Sequence, residues 1–157
     1  MTFKIKSLLA ALAFAAAAPA ALAADVTLRF HQMLPPQATI PNLAIKPWAE
    51  KVEKESGGRI KVQLFPSMQL GGRPPELFDQ VKDGVVDLTW TVLGYTPGRF
   101  PKTEAFELPF TCGLAEPCSK AFQEYVQKNA LDEFKDVHLI AVHVHGPGLI
   151  HSKDPIT

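Results

Sequence analysis

The sequence predicts an α/β fold with a mostly parallel sheet and helices on both faces. Three observations predict it. Short runs rich in β-formers alternate with longer stretches of helical period, and Gly and Pro stand at the joints. The resulting order is β-α-β-α-β, a long excursion, then α and β, which is the order that builds a parallel sheet.

Each element has its own signal. Val26 to Phe30 alternates and forms the first strand. Pro35, Pro36 and Pro41 break the chain, and a helix then runs to about Ser56. Ala44, Trp48 and Val52 share one face of it, with Trp48 in the core, while Lys46–Glu50 and Glu50–Lys54 pair on the other. Gly57-Gly58 stops that helix with residues that tolerate left-handed dihedrals. Ile60, Val62 and Leu64 alternate with Lys61 and Gln63 in a second strand, which Pro66 ends. Pro74 and Pro75 suit the first turn of a short helix through Lys82, with Leu77, Phe78 and Val81 inward and Gly84 past its end. Val85 to Val92 reads as a third strand. After a proline-punctuated connection to Phe110, Pro117 opens a helix to about Phe134 that buries Ala121, Phe122, Tyr125 and Val126. Val137 to Val144 reads as a fourth strand.

Ahead of these elements lies a secretory signal. Lys4 and Lys6 form a positive start, Ser7 to Ala18 an apolar run, and Ala21-Leu22-Ala23 a small-x-small cleavage site. The apolar run is too short to remain in a bilayer as a spanning helix. Residues 1–23 are therefore expected to be removed on export to the periplasm, leaving 134 of the 157 residues, enough for one domain with its own core. The mature part carries 14 basic side chains, Lys4 and Lys6 having left with the signal, against 16 acidic ones. No basic stripe appears, which argues against nucleic acid as a partner. Cys112 and Cys118 are the two cysteines and bracket a short loop. An oxidising compartment makes a local disulfide the simplest reading; two buried thiols or a metal pair are the alternatives.

In a parallel α/β sheet, ligands settle beyond the carboxyl ends of the strands. That places His31 to Thr39, Ser67 to Arg73 and Leu93 to Phe100 at the ligand edge. The first and third of these carry His, Gln, Tyr and Arg where a plain loop would carry Ser, Asn and Asp.

Several stretches resemble the solute receptors of tripartite ATP-independent periplasmic (TRAP) transporters, the DctP-like family. They are Ser56-Gly57-Gly58-Arg59-Ile60 through Phe65-Pro66-Ser67 to Gln69-Leu70-Gly71; Glu76; Val81-Lys82-Asp83-Gly84; Asp87-Leu88; Trp48-Ala49-Glu50-Lys51-Val52; and Phe106-Glu107-Leu108-Pro109-Phe110. The resemblance implies a periplasmic-binding-protein-like (type II) lobe, over residues 24–145, of a two-lobed receptor. It also implies closure over a small organic acid without a cofactor and delivery to TRAP membrane subunits. In relatives an arginine of the second lobe, in an Arg-x-Pro segment, pairs with the substrate carboxylate through its planar fork. Residues 146–157 read as the start of a crossover, so the second lobe and its arginine are expected to be missing. The chain alone is then expected to bind organic acids weakly or not at all, and a truncated product without a transport role is an alternative reading.

The candidate ligand-binding residues are His31, Arg73, Trp90, Tyr95, His145 and Lys153. His31 follows the first strand, where a hydrogen-bonded turn histidine is the bland reading. Trp90 reads as core or contact, and Tyr95 sits in a loop beside glycines. Arg73 has a solvated-loop alternative. Lys153 falls where some relatives carry a basic contact residue, and His145 lies at a strand end facing the cleft. Relatives that bind sialic acid carry an acidic residue near Val92, so Trp90 and Tyr95 suit a flatter, more apolar acid. His143, His145 and His151 raise the alternative of a metal-binding protein or metal-dependent hydrolase, which needs further ligands. No nucleophile elbow or phosphate-cradling loop is visible, and the pattern is that of a binding protein and not of an enzyme.

Overall fold

The computed structural model describes residues 24–146, 148 and 151–154. The expected signal, residues 1–23, lies outside them, as do six positions of the 146–157 segment (147, 149, 150 and 155–157).

Strand β1 (Val26–Gln32) is the centre of a three-stranded sheet. It pairs in parallel with β2 (Ile60–Phe65) on one side and β3 (Leu88–Trp90) on the other. Phe30 lies opposite both Leu64 and Leu88, so Leu28, Phe30, Val62, Leu64, Leu88 and Trp90 share one face. A slip of one residue would turn that apolar set outward, which is how the alternation specifies register.

Helix α1 (Lys46–Glu55) covers this face, entered through one wide π turn at Pro41–Ile45. Its buried positions are Ile45 at the entry and Ala49, packed on Phe30 and Val62. Trp48 and Val52 are half-buried at the flank, and Ala44 is exposed. The expected stripe is thus displaced by about one residue. A π turn holds more residues than an α turn, so the apolar face arrives later in the chain. Trp48 meets the Phe30 ring edge-on at 6.1 Å between centroids. The i,i+4 ion pair on the helix is Lys51–Glu55, 3.8 Å. Gly57 and Gly58 have φ of +65° and +81° and end the helix as expected.

The opposite sheet face carries Arg29 and His31 and meets the region of α2 (Leu77–Lys82), which a 3₁₀ turn at Pro74–Glu76 precedes. Leu77 and Phe78 are buried and Val81 is half-buried. Helices therefore lie on both faces of a parallel sheet. The third strand is shorter than expected. The amides of Val85 and Val86 bond back to the Gln80 carbonyl as the helix exits, and the Asp87 carboxylate takes the Arg29 amide at 2.7 Å. These residues finish the helix and clasp β1 before the ladder begins.

Helix α3 (Ala115–Asn129) starts two residues before Pro117. Proline is tolerated throughout a first turn whose N–H groups lack intrahelical partners. A 3₁₀ turn, Leu131–Phe134, follows. Phe122, Val126, Ala130 and Phe134 form a second core with Phe78 and Phe100, whereas Ala121 is exposed and Tyr125 only partly buried. Cys112 and Cys118 are joined by a disulfide, Cα–Cα 5.7 Å.

The expected fourth strand does not form: residues 137–144 make no ladder in the described sheet. Their apolar residues are used differently, with a change of parity between Leu139 and Val142. Val137, Leu139, Val142 and Val144 pack against the α3 core. The Val142 amide bonds Gln123 Oε1 at 2.7 Å, and the Val144 amide bonds Ser119 Oγ at 3.0 Å. Side chains of a helix thus take the hydrogen bonds that a neighbouring strand was expected to take. Among the described residues, no helix is long and apolar enough to cross a membrane.

Candidate functional site at the carboxyl edge of the sheet

The ends of β1 and β2 are tied together by backbone. Ser67 donates its amide to the Leu34 carbonyl at 3.0 Å, and Met68 to that of Gln32 at 3.1 Å. Both residues adopt left-handed dihedrals, φ +55° and +56°. Such conformations are costly for side-chain-bearing residues and persist where surrounding contacts hold them. Gln32 is buried, and its amide closes on Leu34 in both directions: Nε2 donates to the Leu34 carbonyl at 2.7 Å, and the Leu34 amide donates to Oε1.

His31 is fully buried. The Leu70 amide donates to its Nε2 at 3.3 Å, so that nitrogen is the unprotonated one. Nδ1–H then donates to Gln80 Oε1 at 2.7 Å, and Gln80 Nε2 donates to the Gly71 carbonyl at 3.1 Å. The circuit fastens the loop after β2 to both the sheet and α2. His31 is engaged with protein on both nitrogens and bears on the edge through that loop. Gly72 (φ +83°) passes so close that a Cβ there would lie 2.6 Å from Gln80 Nε2.

Arg73 stays at the surface. Its Nε donates to Glu76 Oε1 at 2.9 Å while its amide donates to Oε2 at 3.2 Å. These bonds hold the Glu76 carboxyl below its ordinary pKa, the guanidinium bond being the larger cause. Arg99 forms the more enclosed pair: Nη1 and Nη2 donate to the two Asp79 oxygens at 3.0 and 2.8 Å. The guanidinium lies 4.2 Å from the Phe78 ring centroid. Asp79 is pushed down by this bidentate bond, and Arg99 is pushed up by it.

At the end of β3, Trp90 is half-buried against the α1 core and donates Nε1–H to His143 Nε2 at 2.8 Å. The rings are nearly coplanar, 9° apart, with centroids 5.9 Å apart. That separation fits an edge-to-edge hydrogen bond in one plane. Tyr95 ends a 3₁₀ turn, Leu93–Tyr95, and is 44% exposed. A neighbouring recess is lined by Phe30, Gln32, Pro36, Pro41, Ile45, Lys46, Leu64 and Pro66, with Lys46 the one charged residue of the set.

His145, His151 and Lys153 are exposed on the segment beyond. Among the described residues no group of three or more His, Cys, Asp or Glu is close enough to hold a metal ion. His143 instead spends Nε2 on Trp90. Sequence reasoning missed Gln32, Gln80 and Arg99, and it did not foresee His143 as the partner of Trp90. Gln32 and Arg99 stand in the two loops that residue type marked as the ligand edge but were not singled out, and Gln80 carried no signal.

Residues 30–157 match the DctP family, bacterial extracellular solute-binding protein, family 7. The chain is 31% identical over 159 residues to the outer membrane transporter protein TsaT of Comamonas testosteroni, covering 99% of this chain and 46% of TsaT. It is 56% identical to a marine metagenome TRAP solute binding protein specific for aromatic acid ligands, solved with metahydroxyphenylacetate. That match has a TM-score of 0.76 and covers 78% of this chain and 38% of the other. A TRAP solute binding protein of Rhodoferax ferrireducens, solved with copurified benzoate, is 55% identical with a TM-score of 0.74 and covers 77% and 38%. The chain spans less than half the length of these relatives.

Proposed function

This chain belongs to the DctP family of bacterial extracellular solute-binding proteins, and from that membership we propose that it supplies the first lobe of a TRAP receptor for a monocyclic aromatic carboxylate. The observation that carries the reading is Trp90, an indole at the carboxyl end of the edge strand β3, with Tyr95 exposed in the loop just beyond it. An apolar ring with one carboxylate matches such an edge: aromatic faces take the ring, and a few placed polar groups take the charge. The 54–56% identity to receptors whose structures hold 3-hydroxybenzoate, metahydroxyphenylacetate and benzoate supports the same ligand class.

In this reading residues 24–145 are the lobe, and residues 146–157 lead toward a second one. Trp90 and Tyr95 touch the ligand ring. His145 and Lys153 lie on the side where the carboxylate enters, Lys153 adding charge without the fixed fork of an arginine. His31 acts through the loop it holds, and Arg73 adds positive charge at the end of that loop. Binding is non-covalent, needs no cofactor, takes place in the periplasm, and precedes delivery to membrane subunits.

Saturation-transfer NMR of the chain with benzoate, metahydroxyphenylacetate and succinate tests the ligand class. The two aromatic acids should receive magnetisation and succinate should not. Equal transfer to all three contradicts the reading.

A further inference from the structure

His143 lies 53 residues from Trp90 in sequence, on the segment expected to be a strand, yet its ring continues the plane of the indole. The Trp90 N–H can only donate, so the bond requires an unprotonated Nε2 on His143 and leaves the proton on Nδ1, which faces the Val144 carbonyl at 3.4 Å. The pair also bridges the two cores. Trp90 packs on the α1 core, while Val142 and Val144, on either side of His143, pack on the α3 core. Ser119 and Gln123 hold the backbone of both valines to α3, so the imidazole is presented from an anchored segment.

We infer that His143 is the positioning residue for ligand-ring selectivity: it locks the Trp90 indole so that indole and imidazole form one flat shelf on which an aromatic ring stacks. The inference rests on the aromatic-carboxylate reading above and goes beyond it by naming what orients the contact. A free indole at a strand end samples several χ2 settings, and a ligand must then order it on binding. An indole already hydrogen-bonded in place has less freedom left to lose. Offset stacking is stronger for a planar π system than for a saturated ring of similar size, so the shelf discriminates ring type more than charge.

The test compares benzoate with cyclohexanecarboxylate, which share the carboxylate and differ in the ring. Affinities are measured by calorimetry for wild type, His143→Ala, His143→Gln and Trp90→Phe, with the Trp90 indole N–H resonance recorded for the three proteins that keep Trp90. Wild type should prefer benzoate. His143→Ala should weaken benzoate about threefold to tenfold, leave cyclohexanecarboxylate nearly unchanged, and move the indole resonance. His143→Gln, whose Oε1 reaches near the Nε2 position, should restore both affinity and resonance. His143→Ala made in the Trp90→Phe background should add little, because the N–H it acts through is already gone. Equal loss for both acids, or an unchanged benzoate preference in His143→Ala, overturns this inference and leaves the receptor reading standing. A wild-type chain that binds both acids equally, or neither, overturns the aromatic-carboxylate reading for this lobe and this inference with it.

Discussion

The two cores of this chain bury similar residues but hold their backbones differently. Around α1, apolar residues of three strands meet in a ladder whose register follows from alternation alone. Around α3, the alternating segment 137–144 presents its valines and Leu139 to the helix but takes its hydrogen bonds from Ser119 and Gln123 side chains. Alternation breaks there between Leu139 and Val142, with Ile140 exposed, so it reports the inward side chains only in part. It does not report whether a strand or a helix side chain satisfies the backbone between them.

The largest effect that separates the two halves comes from Phe100. It is almost wholly buried between Phe78 and Phe134, at centroid distances of 4.9 and 5.4 Å. Phe100→Ala should cost about 3–5 kcal/mol in chemical denaturation. Hydrogen exchange should rise around α3 more than in the β1–β2 ladder. Equal loosening of both halves would show that the cores are one cooperative unit.

A smaller effect is expected at the loop that leads into α3. Replacing Cys112 and Cys118 together by serine should destabilise by about 2 kcal/mol, the modest value for closing so short a loop. A thermal melt against the parent protein checks it, and no shift would mean that the loop is held by its other contacts.

Much of the α1 half was legible in the sequence because its signals are local. Val26, Leu28 and Phe30 alternate, Gly57-Gly58 stops a helix, and Pro66 ends a strand. The shortened β3 was not legible, since it depends on Asp87 accepting the Arg29 amide, a contact between residues 58 apart. The site followed the same division. Trp90 and Tyr95 could be placed at the strand edge from order alone, whereas the His31–Gln80–Gly71 circuit and the Trp90–His143 bond exist only once the chain is folded.

Ser119→Ala sharpens the comparison at the segment itself. It removes the acceptor of the Val144 amide, and the expected cost is about 1 kcal/mol. Exchange at Val144 should speed up while the amides of β1 stay protected. Unchanged exchange at Val144 would mean that packing alone holds the segment.

The Arg99–Asp79 pair should give the smallest effect, because Asp79 remains 45% exposed and solvent screens the pair. Asp79→Asn is expected to cost about 0.5 kcal/mol at neutral pH. The folded protein holds the Asp79 carboxyl below its ordinary pKa, chiefly through the Arg99 bond. The unfolded chain thus takes up this proton first. The contribution is complete above the unfolded carboxylate value, near pH 4, and is lost as pH falls through the lower folded value. Stability curves of the two proteins should therefore converge only in acid. A difference that vanishes near neutral pH would contradict the assignment.

The central claim, an aromatic carboxylate resting on Trp90, can be read from a single spectrum. The protein has two tryptophans, Trp48 on α1 and Trp90 at the sheet edge, so a ¹⁵N–¹H correlation spectrum shows two indole N–H signals that one substitution assigns. On titration with benzoate the Trp90 signal should move in a saturable way while that of Trp48 stays in place. If benzoate at saturating concentration moves neither signal, or moves Trp48 and leaves Trp90 unchanged, the ligand does not rest where this account puts it.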